Sequence, residues 1–336
     1  MLTPSWPCLV IAGPTASGKT ALAVDVAHGL GTEVFSMDSR QVYRGLDLGT
    51  GKDLSEYARY SPPVRHHLID IVDPEQVYSL FRFQVDAYVA LDTFLGQHGP
   101  DMPPVLAGGT GLYLEAVLKR YAIAEVPENA ALREELMARD VCALREELKA
   151  LSPELYERTD LSSKKRVVRA LEIATTPRGA IPPSRLPEWT LNPLVFVTRP
   201  DRTALRARIA KRLQERLDAG LVDEVRGLRA AGVSWERLAL LGMEYRQVAA
   251  HLRGEVGLKE MTGVLLHQIH LLAKRQETYF RGMERRGLAV NWIDDPESFG
   301  AAGVIACYEA WKVAGYPSAR ATGGAPVTAV PGIATD

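Results

Sequence analysis

The sequence GPTASGKT at Gly13–Thr20 decides the fold. It matches the pattern G-x-x-x-x-G-K-[S/T] of a phosphate-binding loop, or P-loop, at every fixed position. The apolar run Cys8–Ala12 before it predicts a buried parallel strand, and Thr20–Leu30 after it has the periodicity of a helix that stops at Gly31. Backbone N–H groups of the loop and the positive end of that helix are therefore predicted to surround a phosphate group.

Two side chains of this loop are suited to an anion and its counterion. Lys19 can reach the outer phosphate of a bound ligand, and the Thr20 hydroxyl is suited to a Mg²⁺ ion. The predicted phosphate-binding residues are Gly13, Pro14, Thr15, Ala16, Ser17, Gly18, Lys19 and Thr20.

A P-loop does not reveal what is joined to the phosphates. A nucleoside triphosphatase also places an acidic residue at the end of a strand to hold Mg²⁺, but the predicted strand before Gly108–Gly111 ends without one. Asp38, after the second predicted strand, is the best remaining carboxylate, and Asp70 and Asp73 stay as alternatives. The pattern therefore fits poorly with a motor or switch ATPase, although it does not exclude one.

Other parts of the chain continue the alternation of strands and helices. Apolar runs predict further strands at Glu33–Met37, Pro104–Ala107 and Leu194–Thr198, and a short one at Ala289–Ile293. Strands that alternate with glycine turns and helices in this way predict an α/β fold, with a parallel sheet flanked by helices on both faces.

Residues 121–189 break this alternation with charged helical stretches, at Ala131–Leu151 and Lys164–Thr175, and end in the proline-rich run 181–187. We therefore predict a helical insertion domain over 121–189 within a P-loop core formed by residues 1–120 and 190–315. Residues 316–336 are rich in Gly, Pro, Ala and Thr, which predicts a disordered tail.

The composition is that of an ordinary globular protein. The 336 residues are 46% hydrophobic and carry a net charge of −1, so a nucleic-acid partner would have to be held by local basic patches. Cys8, Cys142 and Cys307 have no metal-ligand spacing, and the apolar run Cys8–Ala12 is too short to span a membrane. These features predict a cytoplasmic protein.

Six segments resemble the tRNA dimethylallyltransferase (tRNA isopentenyltransferase) family, of bacterial type. They occur in the family's order over most of residues 8–295, which is far more specific than a P-loop alone. The segments are GPTASGKT at Gly13–Thr20, DSRQVYRGLDLGTG at Asp38–Gly51, HHLID at His66–Asp70, GGTGLYL at Gly108–Leu114, RVVRALE at Arg166–Glu172, and AKRQ at Ala273–Gln276 followed by Thr278 and Arg281.

The resemblance implies a P-loop kinase-like core that carries a helical insertion domain. It also implies transfer of a dimethylallyl group from dimethylallyl diphosphate to N6 of the adenosine on the 3′ side of the tRNA anticodon, with release of diphosphate. The P-loop would then hold a diphosphate, with Mg²⁺ as cofactor. The expected partners are the tRNA anticodon stem-loop and dimethylallyl diphosphate, and the expected assembly is a monomer.

By the same resemblance, three side chains have catalytic roles. Asp38 is the base that takes a proton from the attacking amine, which requires a carboxylate within hydrogen-bond reach. Arg212 binds the diphosphate through its planar guanidinium, with Arg208 as the alternative. Both lie on a helix predicted over Asp201–Ala219, where Arg208, Arg212 and Arg216 form one stripe. Thr110, in a glycine turn, contacts the target nucleotide.

The other predicted site residues contact tRNA. Ser39 and Arg40 lie beside Asp38, and the Gln41 amide suits the edge of an adenine. A group of cations near the C-terminus is available for RNA phosphates: Lys274, Arg275, Arg281, Arg285 and Arg286. In the insertion, the predicted tRNA-binding residues are Lys165, Arg166, Val167, Val168 and Arg169, which follow Lys164.

Three other functions stay open at this point. One is the same chemistry on a free adenine nucleotide, as in adenylate isopentenyltransferases. Another is an ATP-dependent small-molecule phosphotransferase. The third is a non-catalytic RNA-binding protein, against which the intact Lys19, Thr20 and Asp38 argue. The neighbouring His66 and His67 are not predicted to chelate a metal, because neighbours in a strand point to opposite faces.

Overall fold

The computed structural model describes residues 3–123, 125–126, 128–176 and 186–317. These residues form one sheet of six strands. The strands are β1 (Ser5–Ala12), β2 (Val34–Ser36), β3 (His66–His67), β4 (Val105–Gly108), β5 (Thr190–Thr198) and β6 (Asn291–Ile293).

Fourteen helices accompany the strands within the described ranges. Among these helices, none is both long enough and apolar enough to cross a membrane. The fourteen helices are α1 (Lys19–Leu30), α2 (Leu54–Ala58), α3 (Leu80–His98), α4 (Gly111–Leu118), α5 (Ala130–Ala138), α6 (Val141–Leu151), α7 (Pro153–Arg158), α8 (Lys164–Thr175), α9 (Arg202–Asp218), α10 (Leu221–Ala230), α11 (Trp235–Leu241), α12 (Met243–Leu252), α13 (Leu258–Arg285) and α14 (Pro296–Val313).

The strand order is β3-β2-β4-β1-β5-β6, and every pairing is parallel. The prediction of an α/β fold with a parallel, helix-flanked sheet is therefore confirmed. No apolar run predicted the two-residue strand β3, although His66 and His67 were treated as neighbours in a strand.

The carboxyl ends of the strands bring the sequence motifs together. The P-loop follows β1, Asp38 comes two residues after β2, and Gly109 and Thr110 follow β4. Because parallel strands end at the same edge of a sheet, these segments meet where ligands bind in folds of this kind. Thr198 is the last residue of β5, next to β1.

The main core explains why β1 is an unbroken apolar run. Cys8 to Ala12 are fully buried, because β1 lies in the middle of the sheet with helices over both faces. Leu9 and Ile11 share a cluster with Phe196 of β5 and with Trp311 of α14.

The chain divides into two compact units, Met1–Tyr121 with Pro187–Asp336, and Ala122–Leu186. These boundaries lie within three residues of those predicted for the core and the insertion. The second unit contains α5 to α8 and has its own small apolar core: Leu136, Leu144, Leu148, Val167, Val168, Ala170 and Leu171.

The single helix predicted over 131–151 is wrong, because the chain forms α5 and α6 with a break between them. The break occurs at Asp140, whose carboxylate accepts hydrogen bonds from Cys142 N (2.8 Å) and Ala143 N (3.2 Å) and so begins a new helix.

The predicted disordered tail, 316–336, lies outside the described residues except for Tyr316 and Pro317. Tyr316 packs against Trp311 with ring centroids 4.9 Å apart, and its carbonyl accepts a hydrogen bond from Asn192 Nδ2 (2.8 Å). These contacts make Tyr316 part of the folded core, so the predicted start of the tail is too early. Most of the proline-rich run 181–187 also lies outside the described residues.

Candidate active site

The P-loop is closely packed against the end of β5. Gly13 has a φ of +155°, and a Cβ atom there would lie 2.0 Å from Thr198 Oγ1. The Ser17 and Thr198 hydroxyl oxygens are 2.6 Å apart. α1 begins at Lys19 without a side-chain cap, so its first N–H groups are left for an anion.

Lys19 reaches back over the loop. Its ammonium donates a hydrogen bond to the Pro14 carbonyl at 3.2 Å. Burial, followed by the neighbouring Arg212 guanidinium, lowers the pKa of Lys19 from 10.5 to about 8. The side chain is thus still a cation at neutral pH, in surroundings where an anion would be strongly attracted.

This lowered pKa predicts how diphosphate binding depends on pH. Below about pH 8 the Lys19 ammonium is charged and attracts diphosphate, whereas above it the free protein loses this charge. Affinity for inorganic diphosphate, measured by calorimetry, is therefore expected to fall as the pH rises through about 8. Lys19→Arg is the control, because a guanidinium stays charged over this range. An equal fall in both proteins would contradict the assignment, since it would come from the ligand or from another group.

Asp38 and Thr110 form a pair at the ends of β2 and β4. Asp38 Oδ1 accepts hydrogen bonds from Arg40 N (2.8 Å) and Gln41 N (3.4 Å), which fix the carboxylate in the turn. The Thr110 hydroxyl donates to Asp38 Oδ2 at 3.4 Å and accepts from Ser39 N at the same distance. Asp38 Oδ2 therefore keeps capacity to accept a proton or a further hydrogen bond.

Two of the predicted RNA contacts near Asp38 are engaged within the protein. Gln41 Oε1 accepts a hydrogen bond from Ser36 Oγ (2.7 Å), and Gln41 Nε2 donates to the Gly51 carbonyl (3.2 Å). The Gln41 amide therefore ties its own loop together, and one N–H donor and one oxygen lone pair remain for an adenine edge. Arg40 is exposed, and its guanidinium donates to the Leu240 carbonyl (2.8 Å).

Two arginines of α9 face the loop at Gly51. The Arg212 guanidinium bonds to the carboxylate of Asp53 and to the Gly51 carbonyl (3.5 Å). A Cβ atom at Gly51, where φ is +62°, would lie 1.7 Å from a guanidinium nitrogen of Arg216. Burial, followed by the charge of Arg212, lowers the pKa of Arg216 to about 10. A third charge of opposite sign, such as a phosphate, would relieve this repulsion.

The loop before Gly51 is held by one carboxylate of α10. Glu224 accepts hydrogen bonds from the backbone N–H groups of Asp47 (3.0 Å), Leu48 (2.7 Å) and Gly49 (3.1 Å). The Tyr245 hydroxyl of α12 donates to the same carboxylate at 2.7 Å. These bonds set the position of the loop that carries Gly51 to Asp53.

These parts enclose a cavity of about 430 Å³, a volume typical of a small-ligand site. Lys19 and Thr20 of the P-loop and the pair Asp38 and Thr110 line the same space. Also lining it are Thr15, Ser39, Arg40, Gln41, Arg212, Arg216, Glu244, Leu272, Arg275, Gln276 and Tyr279.

A second cavity, of about 390 Å³, also borders Lys19, Thr20 and Arg212. Arg208 lines only this one, and its guanidinium is 2.6 Å from the Glu297 carboxylate. Arg208 is therefore the weaker of the two arginines proposed for diphosphate binding, because it does not reach the cavity that contains Asp38.

The donor set is compatible with a Mg²⁺ ion that keeps water and substrate ligands. Thr20 lines both cavities. Within the described residues, no group of three or more His, Cys, Asp or Glu side chains is arranged to hold a metal. Mg²⁺ is commonly bound through few protein ligands plus substrate phosphates, and Thr20 would be such a ligand.

One face of α13 forms a wall of the cavity. The Tyr279 ring packs so closely on Gly111 that a Cβ atom there would lie 2.2 Å from the ring. The Tyr279 hydroxyl donates to the buried Glu115 carboxylate of α4 (2.7 Å), which also accepts from Arg286 Nη2 (2.6 Å) and pairs with Lys119 (2.9 Å). Burial acts to raise the pKa of Glu115, but these hydrogen bonds outweigh it and lower the pKa to about 2.

Removing the Glu115 carboxylate is expected to destabilise the protein. Glu115→Ala should lower the free energy of unfolding by about 3–5 kcal/mol, because it leaves buried donors and a cation unpaired. Urea unfolding at neutral pH measures this loss. The matched control, Glu297→Ala, removes an exposed carboxylate paired with Arg208 and should cost less than about 1 kcal/mol.

The contribution of Glu115 to the free energy of unfolding should also depend on pH. The folded-state pKa lies below the ordinary value of 4.5, so the stabilisation is complete above about pH 4.5 and is lost as the pH falls toward 2. The difference in stability between the wild type and Glu115→Ala should therefore shrink over this window. A difference that stays constant down to pH 2 would show that cavity formation, not charge, causes the loss.

Two of the five C-terminal cations predicted to meet RNA are engaged in ion pairs. Arg286 binds Glu115, and Arg281 pairs with Glu277 one turn away at 2.5 Å. Lys274, Arg275 and Arg285 are exposed and have no carboxylate partner among the described residues. Of these three, Arg275 lines the cavity that contains Asp38.

The insertion's basic helix, α8, has a buried and an exposed face. Val167 and Val168 belong to the core of this unit and are no more than 3% exposed, so the prediction that they contact tRNA is wrong for their side chains. Lys165 is exposed, and Arg166 is exposed with an ion pair to Asp160 (2.6 Å). Arg169 pairs with the buried Glu172.

Lys164 is held within the same unit. Its ammonium donates to the carbonyls of Met137 (2.7 Å) and Arg139 at the end of α5. Of the cations predicted on α8, Lys165 and Arg166 therefore remain the side chains best placed to meet an RNA backbone.

The alternative carboxylates and the histidines have partners away from the P-loop. Asp70 pairs with the fully buried Lys52, and Asp73 pairs with Arg44 (2.8 Å), and neither acid lines the cavity. His67 is 2.5 Å from Glu33 Oε2 and stacks on Phe35, whereas His66 lies against Tyr57. The two histidines thus face different neighbours, as the strand geometry predicted.

Three cavity residues with charged or amide side chains were not among the predicted site residues. Arg216 follows Arg212 by one helical turn on the same predicted stripe, but only Arg212 and Arg208 were given a role. Gln276 lies in a segment that resembles the family but was given no role. Glu244 lines the cavity near Asp38, and burial raises its pKa; no pattern in the sequence distinguishes this glutamate from others.

Comparisons with known proteins agree on one family. A sequence model of the IPP transferase family matches residues 41–283. The chain is 47% identical over 288 residues to tRNA dimethylallyltransferase 1 of Syntrophus aciditrophicus, covering 85% of this chain and 93% of that protein. It is 48% identical over 291 residues to tRNA dimethylallyltransferase 2 of Syntrophotalea carbinolica, with the same two coverages.

Solved structures have the same fold. The tRNA isopentenylpyrophosphate transferase of Bacillus halodurans superposes with a TM-score of 0.65 at 30% identity, covering 93% of this chain and 98% of that one. A eukaryotic dimethylallyltransferase acting on tRNA superposes with a TM-score of 0.73, covering 94% of this chain and 81% of that one. At 19% identity, the second similarity supports the fold alone.

Proposed function

The chain belongs to the IPP transferase family, and from this premise we propose that it transfers a dimethylallyl group from dimethylallyl diphosphate to an adenosine of tRNA. The observation that carries the proposal is that one cavity contains both the P-loop cation Lys19 and the pair Asp38 and Thr110. A diphosphate bound at the P-loop and a nucleobase at Asp38 would thus share one space.

The proposed acceptor atom is N6 of the adenosine on the 3′ side of the anticodon. N6 forms a bond to C1 of the dimethylallyl group while the bond from C1 to the diphosphate oxygen breaks. The electron pair of that bond leaves with the diphosphate, and a proton passes from N6 to Asp38. Diphosphate and N6-dimethylallyladenosine in tRNA are the products.

The residues of this chain would act on both sides of that bond. Lys19, Arg212 and Arg216 stabilise the charge that develops on the departing diphosphate. Thr110 orients the Asp38 carboxylate, whose Oδ2 is the oxygen with free capacity. Mg²⁺, held by Thr20 with diphosphate oxygens and water, would neutralise part of the leaving-group charge.

The tRNA acceptor is proposed over a free nucleotide for two reasons. The relatives named above are tRNA-modifying enzymes, and the insertion unit presents the exposed Lys165 and Arg166 to solvent. A base in an anticodon loop is unpaired, so extruding it into a cavity costs less than extruding it from a duplex.

The test uses purified protein, Mg²⁺, dimethylallyl diphosphate and either unmodified tRNA or AMP. We expect mass spectrometry to find the added isoprenoid on one adenosine of the tRNA and little product with AMP. Product with AMP alone would identify an adenylate isopentenyltransferase. Consumption of ATP with phosphorylation of a small molecule would instead identify a phosphotransferase.

We further propose that the protein acts as a monomer in the cytoplasm. A single chain brings Lys19, Thr20, Asp38, Thr110 and Arg212 to this cavity, which is the set of side chains that the proposed transfer uses. The three cysteines are free thiols, which suits a reducing compartment. Light scattering of the purified protein tests the first point, because a stable dimer would contradict it.

A further inference from the structure

Gln276 of α13 connects the two halves of the cavity. Its Oε1 accepts a hydrogen bond from Thr15 N in the P-loop at 2.9 Å, and its Nε2 donates to the Gly109 carbonyl at 2.9 Å. One side-chain amide thus spans from the loop after β1 to the turn after β4. Gln276 also lines the cavity that contains Asp38.

The turn after β4 leaves just enough room for this amide. A Cβ atom at Gly109 would lie 2.4 Å from Gln276 Nε2 and 3.3 Å from the Gly13 carbonyl. A side chain at residue 109 would therefore displace the amide from the P-loop. The Gln276 amide can therefore reach the P-loop only because residue 109 is a glycine.

The connection continues to the acceptor side of the cavity. Gly109 precedes Thr110, whose hydroxyl donates to Asp38 Oδ2 at 3.4 Å. A chain of contacts therefore runs from Thr15 through Gln276, Gly109 and Thr110 to Asp38. No other described side chain hydrogen-bonds to both Thr15 and Gly109.

The helix that carries Gln276 is itself anchored. Tyr279, one turn on, packs on Gly111 and bonds to Glu115 of α4, and Glu115 is bound by Arg286 from the end of α13. Gln276 thus projects from a rigid element, and such elements hold reacting groups more precisely than loops do.

We propose that Gln276 is a positioning residue that sets the distance between the bound prenyl diphosphate and the adenosine amine. The proposal rests on the proposed function, since it concerns the same site. Transfer requires the reacting atoms about 3–3.5 Å apart and aligned, and a misplacement of about 1 Å can cost about 10²-fold in rate. Holding each substrate is not sufficient; the two loops must also be held relative to one another.

Gln276→Met tests this role, because methionine fills similar space without hydrogen bonds. We expect kcat for tRNA prenylation to fall about 10- to 100-fold, while KM for each substrate changes less than about threefold. Affinity for inorganic diphosphate, measured by calorimetry, should be nearly unchanged. The matched control is Gln268→Met, the same replacement on the same helix at a residue that does not line the cavity; its kcat should equal that of the wild type.

A purely structural role would give a different result. It would lower the melting temperature of Gln276→Met and the fraction of active protein, but leave the single-turnover rate per active site unchanged, and this outcome would overturn the proposal. Gln276→Glu is the second variant: its carboxylate can still accept from Thr15 N but cannot donate to Gly109. We expect this variant also to lose kcat, and a wild-type kcat in it would equally overturn the proposal.

A double-mutant cycle with Thr110→Val measures coupling. If Gln276 acts through the turn at Thr110, the losses of the two single variants should be clearly non-additive, whereas strictly additive losses would refute the connection. Absence of prenylated tRNA with the wild type would instead refute the proposed function itself. Failure of the positioning proposal would therefore appear in the variants, and failure of the proposed function would appear in the wild type.

Discussion

Replacing Asp38 by asparagine is expected to lower kcat for prenylation of tRNA by about 10²- to 10⁴-fold. The amide oxygen can still accept the hydrogen bond from Arg40 N that fixes the turn, so the loop should keep its shape. What is lost is the only strong proton acceptor of the pair Asp38 and Thr110. Steady-state kinetics with unmodified tRNA measure the loss, and filter binding should show nearly unchanged tRNA affinity.

Asp73→Asn is the matched control for Asp38→Asn. Asp73 also follows an apolar pair in the sequence, but it pairs with Arg44 and does not line the cavity. Its kcat should stay close to that of the wild type. If Asp38→Asn instead lost tRNA binding, with turnover per bound complex unchanged, Asp38 would be a binding residue and not the base.

Replacing Lys19 by methionine is expected to lower kcat/KM for dimethylallyl diphosphate by about 10²- to 10³-fold. The Lys19 side chain is half-buried, and its ammonium donates to the P-loop carbonyl of Pro14, so its charge is held at the loop where the diphosphate would bind. The charge that develops on the departing diphosphate would then be left to the arginines of α9. Initial rates over a range of donor concentrations, at saturating tRNA, measure the change.

The control for this variant is Lys211→Met. Lys211 lines only the second cavity and pairs with Glu215 at 3.7 Å, so its removal should change kcat/KM less than about twofold. Affinity for tRNA in the absence of donor should be the same in both variants. A Lys19→Met enzyme with wild-type kcat/KM would mean that the P-loop does not hold the leaving group.

The role of α9 shows how far periodicity alone can go. The sequence predicted the helix and placed Arg208, Arg212 and Arg216 on one stripe. Whether a given arginine reaches the cavity depends on where the stripe meets the loop at Gly51. Arg212 and Arg216 lie against that loop, whereas Arg208 pairs with Glu297. Helix periodicity carries no information about that crossing point, because it is set by packing against distant residues.

The insertion shows the opposite limit. The residues Lys165 to Arg169 were all predicted to contact tRNA, because the resemblance to the family covers them as one stretch. The structure separates this stretch into a buried apolar seam with Val167 and Val168 and an exposed face with Lys165 and Arg166. The period of 3.6 residues predicts such a division, so periodicity would have excluded the two valine side chains.

The sequence by itself determined the P-loop, the parallel α/β sheet and the family, because each was recognised from short segments whose own residues are close together in the chain. By resemblance it also named Asp38 and Thr110, and the structure brings both to one cavity, since the ends of parallel strands meet at one edge. Only the tertiary structure decided the partners: Gln276 meets Thr15 across 261 residues, and Glu224 holds a loop more than 170 residues away. The reason is physical, because side chains from the C-terminal helices find their donors and acceptors only after those helices pack against the sheet.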